Sequence, residues 1–360
     1  MTRKVYVIGV GMTKIDRHFW KSMRELFAEA VWKAVEDAGG VTPEAVVVGN
    51  MTSSSLSEQD SLGALLVDYA GLEGLPAFKV EAACGSGGAA VYTAYSLVRS
   101  GLVDVCMAAG VEKLTEEPTR RVTYALAQAA DAEYELYYGA SFTSLNALIM
   151  RYYMSTYNVT RDEMSEWPVL MHENGSRNPY AQLPFKVSKE QVSSSPVISD
   201  PIRLLDSSPI GDGAAAVILA SEEVARKVTD TPVLVAGVGL ATDRIYLASR
   251  PDILTFTATR RALEAALRQS KVNVKDIDVV EVHDAFSVLG YINLEDLGFA
   301  ERGRAAKLMA EGRFRPGDKP TVNPSGGLKS RGHPVGATGV YQAVSYTHLR
   351  AHETEADLVC

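Results

Sequence analysis

The segment Val80-Glu-Ala-Ala-Cys-Gly-Ser-Gly-Gly-Ala-Ala90 carries an apolar strand into a run of small residues and out again as a helix. A strand that turns into a helix across glycines commits the surrounding chain to α/β layering, because the helix must fold back onto the sheet that the strand has just left. The turn also places the sulfur of Cys84 at a helix N-terminus. Unpaired backbone N–H groups and the positive end of the helix dipole favour an anion there, so the thiol pKa is predicted to fall from about 8.5 toward neutrality. Gly85, Gly87 and Gly88 let a large substrate come close to the backbone. A lone cysteine in such a turn is as readily a packed core residue. Two further groups change that balance: His283 in Glu-Val-His-Asp-Ala-Phe and His333 in Gly-His-Pro-Val-Gly-Ala-Thr-Gly. Three reactive side chains in glycine-rich or strand-end loops point to covalent catalysis.

The same alternation runs through the chain. Val5–Val10, Ala45–Val48, Val103–Ala109, Ala214–Ala220 and Pro232–Val238 read as strands. Met23–Asp37, Asp60–Ala70 and Gly88–Arg99 read as helices, the first closed by Gly39-Gly40 and the last by Gly101. From about Glu116 to Ser199 strand signals stop and Tyr, Met, Ser and Asn become frequent. This stretch is too long for a plain loop and predicts a partly helical subdomain inserted over the first core. Beyond it the pattern returns, with a helix over Ala258–Gln269 and a strand over Ile277–Val282 that ends at His283, as an earlier strand ends at Cys84. Two similar α/β halves facing each other would bring those ends together. The expected division is 1–228 for the first half and 229–344 for the second.

At 360 residues, 46% hydrophobic and 22% charged, the chain is long enough for about two domains with sizeable cores. A net charge of −8 argues against nucleic acid or an anionic membrane as the main partner, although a local basic patch for a phosphorylated ligand remains compatible with it. No stretch approaches the roughly 18 apolar residues of a membrane span. Three cysteines without a CxxC spacing make a disulfide framework or zinc site unexpected, and a reducing, cytoplasmic setting is the natural one.

Cys84 in its small-residue loop, Gly211-Asp-Gly-Ala-Ala-Ala216, His283-Asp-Ala-Phe286, and Asn323-Pro-Ser-Gly-Gly-Leu-Lys-Ser-Arg-Gly-His-Pro-Val-Gly-Ala-Thr-Gly339 follow one another in an order that resembles the thiolase superfamily. The branch is the one with His-Asp-Ala-Phe where conventional thiolases carry Asn-Glu-Ala-Phe, which includes sterol-carrier-protein-like thiolases and archaeal-type acetyl-CoA acetyltransferases. The resemblance implies a layered αβαβα thiolase fold and an acyl-CoA C-acyltransferase, foremost an acetyl-CoA C-acetyltransferase. Alternatives are a thiolase or lipid-transfer-type protein for longer or sterol-derived chains, and a noncatalytic subunit of an acyltransferase complex. It implies that Cys84 is acylated, that His333 takes the Cys84 proton, and that His283 helps His333 polarise the second thioester. Ser325, Gly326 and, in the inserted segment, His172 are the candidate substrate-binding residues. No metal and no cofactor beyond the coenzyme A thioester substrates are implied. The implied assembly is a homodimer or homotetramer joined through an edge strand, for which Val103–Ala109 is the candidate, beside a small OB-fold, zinc-ribbon partner of the DUF35 type.

Three other features compete for attention. Gly9-Val-Gly11 suggests a dinucleotide loop, but Lys14 occupies the third glycine position. Cys106 reads as core. His348 and His352 have metal-pair spacing without a third ligand nearby. The segment Ser345–Cys360 departs from the resemblance: where thiolases continue into a strand and a glycine-rich loop, it has the look of a foreign translated end, and it is expected to pack poorly.

Overall fold

The computed structural model describes residues 3–351 and 358–359, with side chains described through Ser345. Eleven strands occur among them. The first four are Val5–Met12 (β1), Ala45–Gly49 (β2), Ala77–Val80 (β3) and Val105–Glu112 (β4). A small hairpin, Val197–Ser199 (β5) and Ile202–Arg203 (β6), precedes Gly213–Ser221 (β7) and Val233–Gly237 (β8). Val279–Val280 (β9), Thr321–Val322 (β10) and Leu358–Val359 (β11) complete the set. Seven of them form one mixed sheet in the order β11-β8-β1-β7-β4-β2-β3, while β9 and β10 pair alone.

The long sheet is covered on both faces, so its strands read as continuous apolar runs rather than alternating ones. Val46, Val48, Met107, Ala109 and Ile218 face one core with Leu26, Phe27, Ala30 and Val31 of the Met23–Asp37 helix. Their neighbours Val47, Cys106, Ala108, Val217 and Leu219 face the opposite core, shared by the helices Ser86–Ser100 and Thr338–Ala351. Cys106 is a core residue, as its sequence context suggests. Gly9 and Gly11 lie inside β1, not in a nucleotide loop. A Cβ on Gly9 would stand 2.4 Å from the Ala34 carbonyl oxygen and one on Gly11 2.2 Å from that of Ala30, so these glycines let the first helix rest directly on the strand.

The two halves are less alike than their sequence rhythm suggests. Val103–Ala109 is no sheet edge: β4 is fully buried at the centre, antiparallel to β7 and parallel to β2. The edge beside Cys84 is β3, which pairs only with β2 and leaves Phe78 partly exposed. The strand anticipated over Ile277–Val282 shrinks to β9. The Val282 N–H donates to Asn323 Oδ1 at 2.6 Å, so a side chain takes the place of a ladder partner. Around β9 and β10 the inserted segment supplies helices Phe142–Tyr157 and Arg161–Gly175, whose Tyr153, Met164 and Trp167 pack with Tyr291, Ile292 and Leu294 in a third core. Of the tail expected to be foreign, residues 352–357 and 360 lie outside the described residues, as do the side chains of His348 and His352. The short β11 pairs with β8 in parallel.

Candidate active site

The nucleophile loop is a strained corner. Ala83 takes a left-handed φ of +50°, a conformation that costs an ordinary side chain about 1–2 kcal/mol. Ser86 holds the corner shut, accepting from the Ala82 N–H at 2.9 Å and donating to the Ala83 carbonyl at 2.6 Å. The helix begins at Ser86, so Cys84 lies just ahead of its first turn. Gly87 cannot carry a side chain, because a Cβ there would lie 2.8 Å from the backbone nitrogens of Gly339 and Val340. Gly339 is equally confined, with its absent Cβ 2.3 Å from the Gly88 nitrogen. The first turns of the two helices therefore meet backbone to backbone.

This contact brings the second helix, and the loop before it, against Cys84. The Cys84 sulfur and ring nitrogens of His283 and His333 lie within 4.8 Å of one another. The two imidazoles meet edge to face, with centroids 5.0 Å apart and planes at 83°. His333 Nδ1 lies 2.7 Å from Thr338 Oγ1, which leaves Nε2 as the ring atom free to act on a neighbour. His283 is anchored through its backbone, its carbonyl accepting from Asn293 Nδ2 at 2.9 Å. The strand ends that carry Cys84 and His283 do converge.

The electrostatics differ from the sequence expectation. The Cys84 thiol is pushed up to about 12, first by burial and then by the charge of Glu112, instead of falling toward neutrality. Its sulfur packs against an apolar cluster of Leu56, Leu114, Val122, Ala125 and Val335, and that desolvation outweighs the helix N-terminus. Burial holds His283 down to about 4, with Arg331 adding to the effect. Burial, His283 and Arg331 together hold His333 well below its ordinary value. At neutral pH the trio is a thiol and two neutral imidazoles. The same trio is the one group of metal-type donors found among the described residues.

Several supporting residues escape a reading of the sequence. Glu112 ends an otherwise apolar strand, and its buried carboxylate accepts from the N–H groups of Met51, Thr52 and Gly336 at 2.9–3.0 Å, from Asn50 Nδ2 at 2.9 Å and from Thr52 Oγ1 at 2.5 Å. It ties the loop after β2 to the loop of His333. Asp284 accepts from Trp167 Nε1 at 2.8 Å and the Leu328 N–H at 2.7 Å, and burial lifts its pKa to about 6. Both carboxylates stand out in the sequence as charges in apolar or glycine-rich surroundings, a signal that could have found them.

The three candidate substrate-binding residues sit behind the trio. Ser325 is buried, its Oγ donating to Glu281 Oε2 at 2.8 Å. Gly326 has a φ of +98° and presses on Gly175, whose Cα would lie 2.6 Å from an added Cβ. His172 is fully enclosed, with Nδ1 2.8 Å from the Phe185 carbonyl oxygen. All three are enclosed by neighbouring loop and helix residues.

A cysteine joined to two histidines across a pair of helix starts is an arrangement suited to covalent, cysteine-dependent catalysis. Comparison with known proteins is specific. The thiolase N-terminal domain family model matches residues 5–223, and the thiolase C-terminal domain-like model matches residues 239–356. The chain belongs to the thiolase family of acyltransferases. It is 46% identical to an acetyl-CoA acetyltransferase of Methanothermobacter thermautotrophicus, covering 95% of this chain and 89% of that one. It is 42% identical to an acetyl-CoA acetyltransferase of Methanocaldococcus jannaschii, covering 94% and 88%. Among solved structures, one described as an Ltp2-ChsH2(DUF35) aldolase superposes with a TM-score of 0.80 at 24% identity over 95% of this chain and 89% of that chain, a likeness of fold. Among the described residues no helix is long and apolar enough to cross a membrane.

Proposed function

We propose that this chain is an acetyl-CoA C-acetyltransferase that forms or cleaves acetoacetyl-CoA through an acetyl group carried on Cys84. The observation that carries this reading is the convergence of Cys84, His283 and His333 within 4.8 Å, in a chain 46% identical to a protein of that name. The thiol and His333 are both neutral, so proton and bond move together. His333 Nε2 takes the thiol proton as Cys84 Sγ attacks the thioester carbonyl carbon; the tetrahedral adduct expels coenzyme A thiolate, which recovers that proton from the imidazolium. With its Nδ1 proton held by Thr338 Oγ1, His333 returns to the same tautomer after each cycle. When the second acetyl-CoA arrives, it loses an α-proton and enolate charge develops on its thioester oxygen; its α-carbon then bonds to the acetyl carbonyl carbon, the bond to Cys84 Sγ breaks, and the sulfur ends with that proton as the free thiol. A neutral imidazole at His283 is suited to donate its ring N–H to that oxygen without first losing a full charge.

Coenzyme A thioesters serve as substrates, and no other cofactor enters these steps. We read the working form as a homodimer or homotetramer joined along β3, the exposed edge beside the nucleophile loop, in the cytoplasm. A small DUF35-type partner is consistent with the complex named for the superposed aldolase. Intact-mass spectrometry after addition of acetyl-CoA tests the central claim. One acetyl adduct is expected on the unaltered chain and none on Cys84→Ser; an adduct that survives that substitution would sink the assignment. Light scattering that finds a stable monomer at micromolar concentration would remove the dimer.

A further inference from the structure

Cys84, His283 and His333 come from segments far apart in the chain, and together they make the donor set of a thiophilic metal. One thiolate sulfur and two imidazole nitrogens are ligands that zinc takes readily. The three donor atoms lie within 4.8 Å of one another. Around a tetrahedral zinc, with Zn–S of about 2.3 Å and Zn–N of about 2.0–2.1 Å, neighbouring donors stand about 3.3–3.7 Å apart. Closing the trio onto an ion therefore takes a shift of about 1.5 Å at most, within reach of side-chain torsions. The rings already have the spacing required. Bonds of that length put the centres of two imidazoles on one tetrahedral zinc about 5 Å apart. Those of His283 and His333 are 5.0 Å apart.

A metal-bound histidine ordinarily has its other ring nitrogen hydrogen-bonded, which fixes the tautomer and aims the free nitrogen. His333 meets this condition, since Nδ1 lies 2.7 Å from Thr338 Oγ1 and Nε2 is left for the ion. Thr338 is buried and opens the helix that packs on the nucleophile helix, so the partner is itself held in place. Cys84 and His283 keep part of their surface open, which gives an ion a way in and leaves a fourth position for water. No local spacing announces such a site, because the fold and not the sequence neighbourhood brings the donors together.

We propose that the trio is also a three-ligand site for zinc or a similar thiophilic divalent cation, which binds Cys84 Sγ, a ring nitrogen of His283 and His333 Nε2 and stops acyl transfer while it stays. Binding replaces the S–H bond of Cys84 with an S–metal bond and releases that proton to solvent. The inhibition rests on the reading of Cys84 as the acylated nucleophile: a sulfur that holds the ion cannot attack a thioester, and a ring nitrogen that holds it cannot accept a proton. The ion is a competitor of the reaction and not a cofactor for it.

The test is titration of the full chain, stripped with EDTA and desalted, with Co2+ and then with Zn2+. Sulfur-to-cobalt charge transfer in the near ultraviolet, together with intense visible bands, marks a four-coordinate ion on a thiolate, and zinc should bleach both. Cys84→Ser should abolish the charge-transfer band. His283→Ala and His333→Ala should each weaken cobalt binding at least about 100-fold, and Thr338→Val about 10–100-fold. Cys84→Ser changes a single atom, so it decides the matter if a histidine variant fails to fold. Removing the donors of the tail, with His348→Ala, His352→Ala and Cys360→Ser combined, should leave the spectrum in place. The proposal is overturned by a band that survives Cys84→Ser, by one that vanishes with the tail donors, or by no such band in the unaltered chain. Binding is read without turnover, so the two readings fail separately. Cobalt held by a Cys84 that never acetylates would count against the acyltransferase, whereas acetylation of a Cys84 that binds no cobalt would count against the metal site alone. In an active chain, saturating zinc should stop acetylation of Cys84 and EDTA should restore it.

Discussion

Cys84 and the two histidines are held in place by different kinds of force. Cys84 is delivered by a seven-stranded sheet whose central strands are largely apolar and packed on both faces. The histidines hang from a two-stranded remnant, and their loops are fixed by buried polar side chains: Asn323 on Val282, Asp284 on Trp167 and Leu328, and Glu281 on Ser325. Apolar packing is redundant, since many contacts share the energy. A buried polar network is not redundant, because each lost partner leaves another group unsatisfied.

That contrast can be broken by experiment. The largest effect is expected from Asp284→Ala, which strands the Trp167 indole N–H and the Leu328 N–H and should lower unfolding free energy by about 3–5 kcal/mol in urea titration. A loss under about 1 kcal/mol would mean that the histidine side is also held by packing. Next, His283→Ala should slow condensation by about 10²–10³ and spare acylation of Cys84, as rapid-quench measurement of the two half-reactions would reveal. Equal losses in both would make His283 a structural residue. Gly87→Ala should cost about 1–3 kcal/mol in thermal unfolding by forcing the two helix starts apart, and it should slow acylation through misplacement of His333. An unchanged Tm would show that the contact yields.

The smallest effect is one of degree. With its thiol pushed up to about 12, free Cys84 should react with iodoacetamide at pH 7 no faster than an ordinary cysteine, and its rate should keep climbing as pH rises past 9. The sign follows from the shift: a raised thiol pKa removes thiolate at neutral pH and restores it only in alkali. A rate that levels off near pH 7 would return the thiolate that the helix N-terminus alone suggests.

Much of this molecule is legible in its sequence. The Met23–Asp37 helix falls where its periodicity and the Gly39-Gly40 pair place it, and the strands over Ala45, Ala214 and Pro232 appear within a residue or two. Those elements depend on local pattern. The Cys84 loop and both histidine loops are equally readable because glycines and small residues punctuate them. What the pattern cannot carry is the outcome of competition between forces. The helix start at Ser86 is evident from the residues, yet the apolar cluster around Leu114 and Val335 comes from segments far away in the chain, and it reverses the sign of the thiol shift. In the same way Val103–Ala109 looks like any apolar strand, and only the pairing of β4 with both β2 and β7 makes it central. Ser325 and Gly326 lie in a conspicuous loop, but their partners Glu281 and Gly175 are assigned by tertiary packing.

The meeting of Gly87 and Gly88 with Gly339 has a bearing on how the molecule is made. One helix belongs to the segment matched by the N-terminal family model and the other to the segment matched by the C-terminal one. Neither half alone contains a thiol with its proton acceptor. On the proposed mechanism, Cys84 meets its proton acceptor only after the last third of the chain has emerged and docked, so acyl loading of Cys84 would be a gauge of completed assembly.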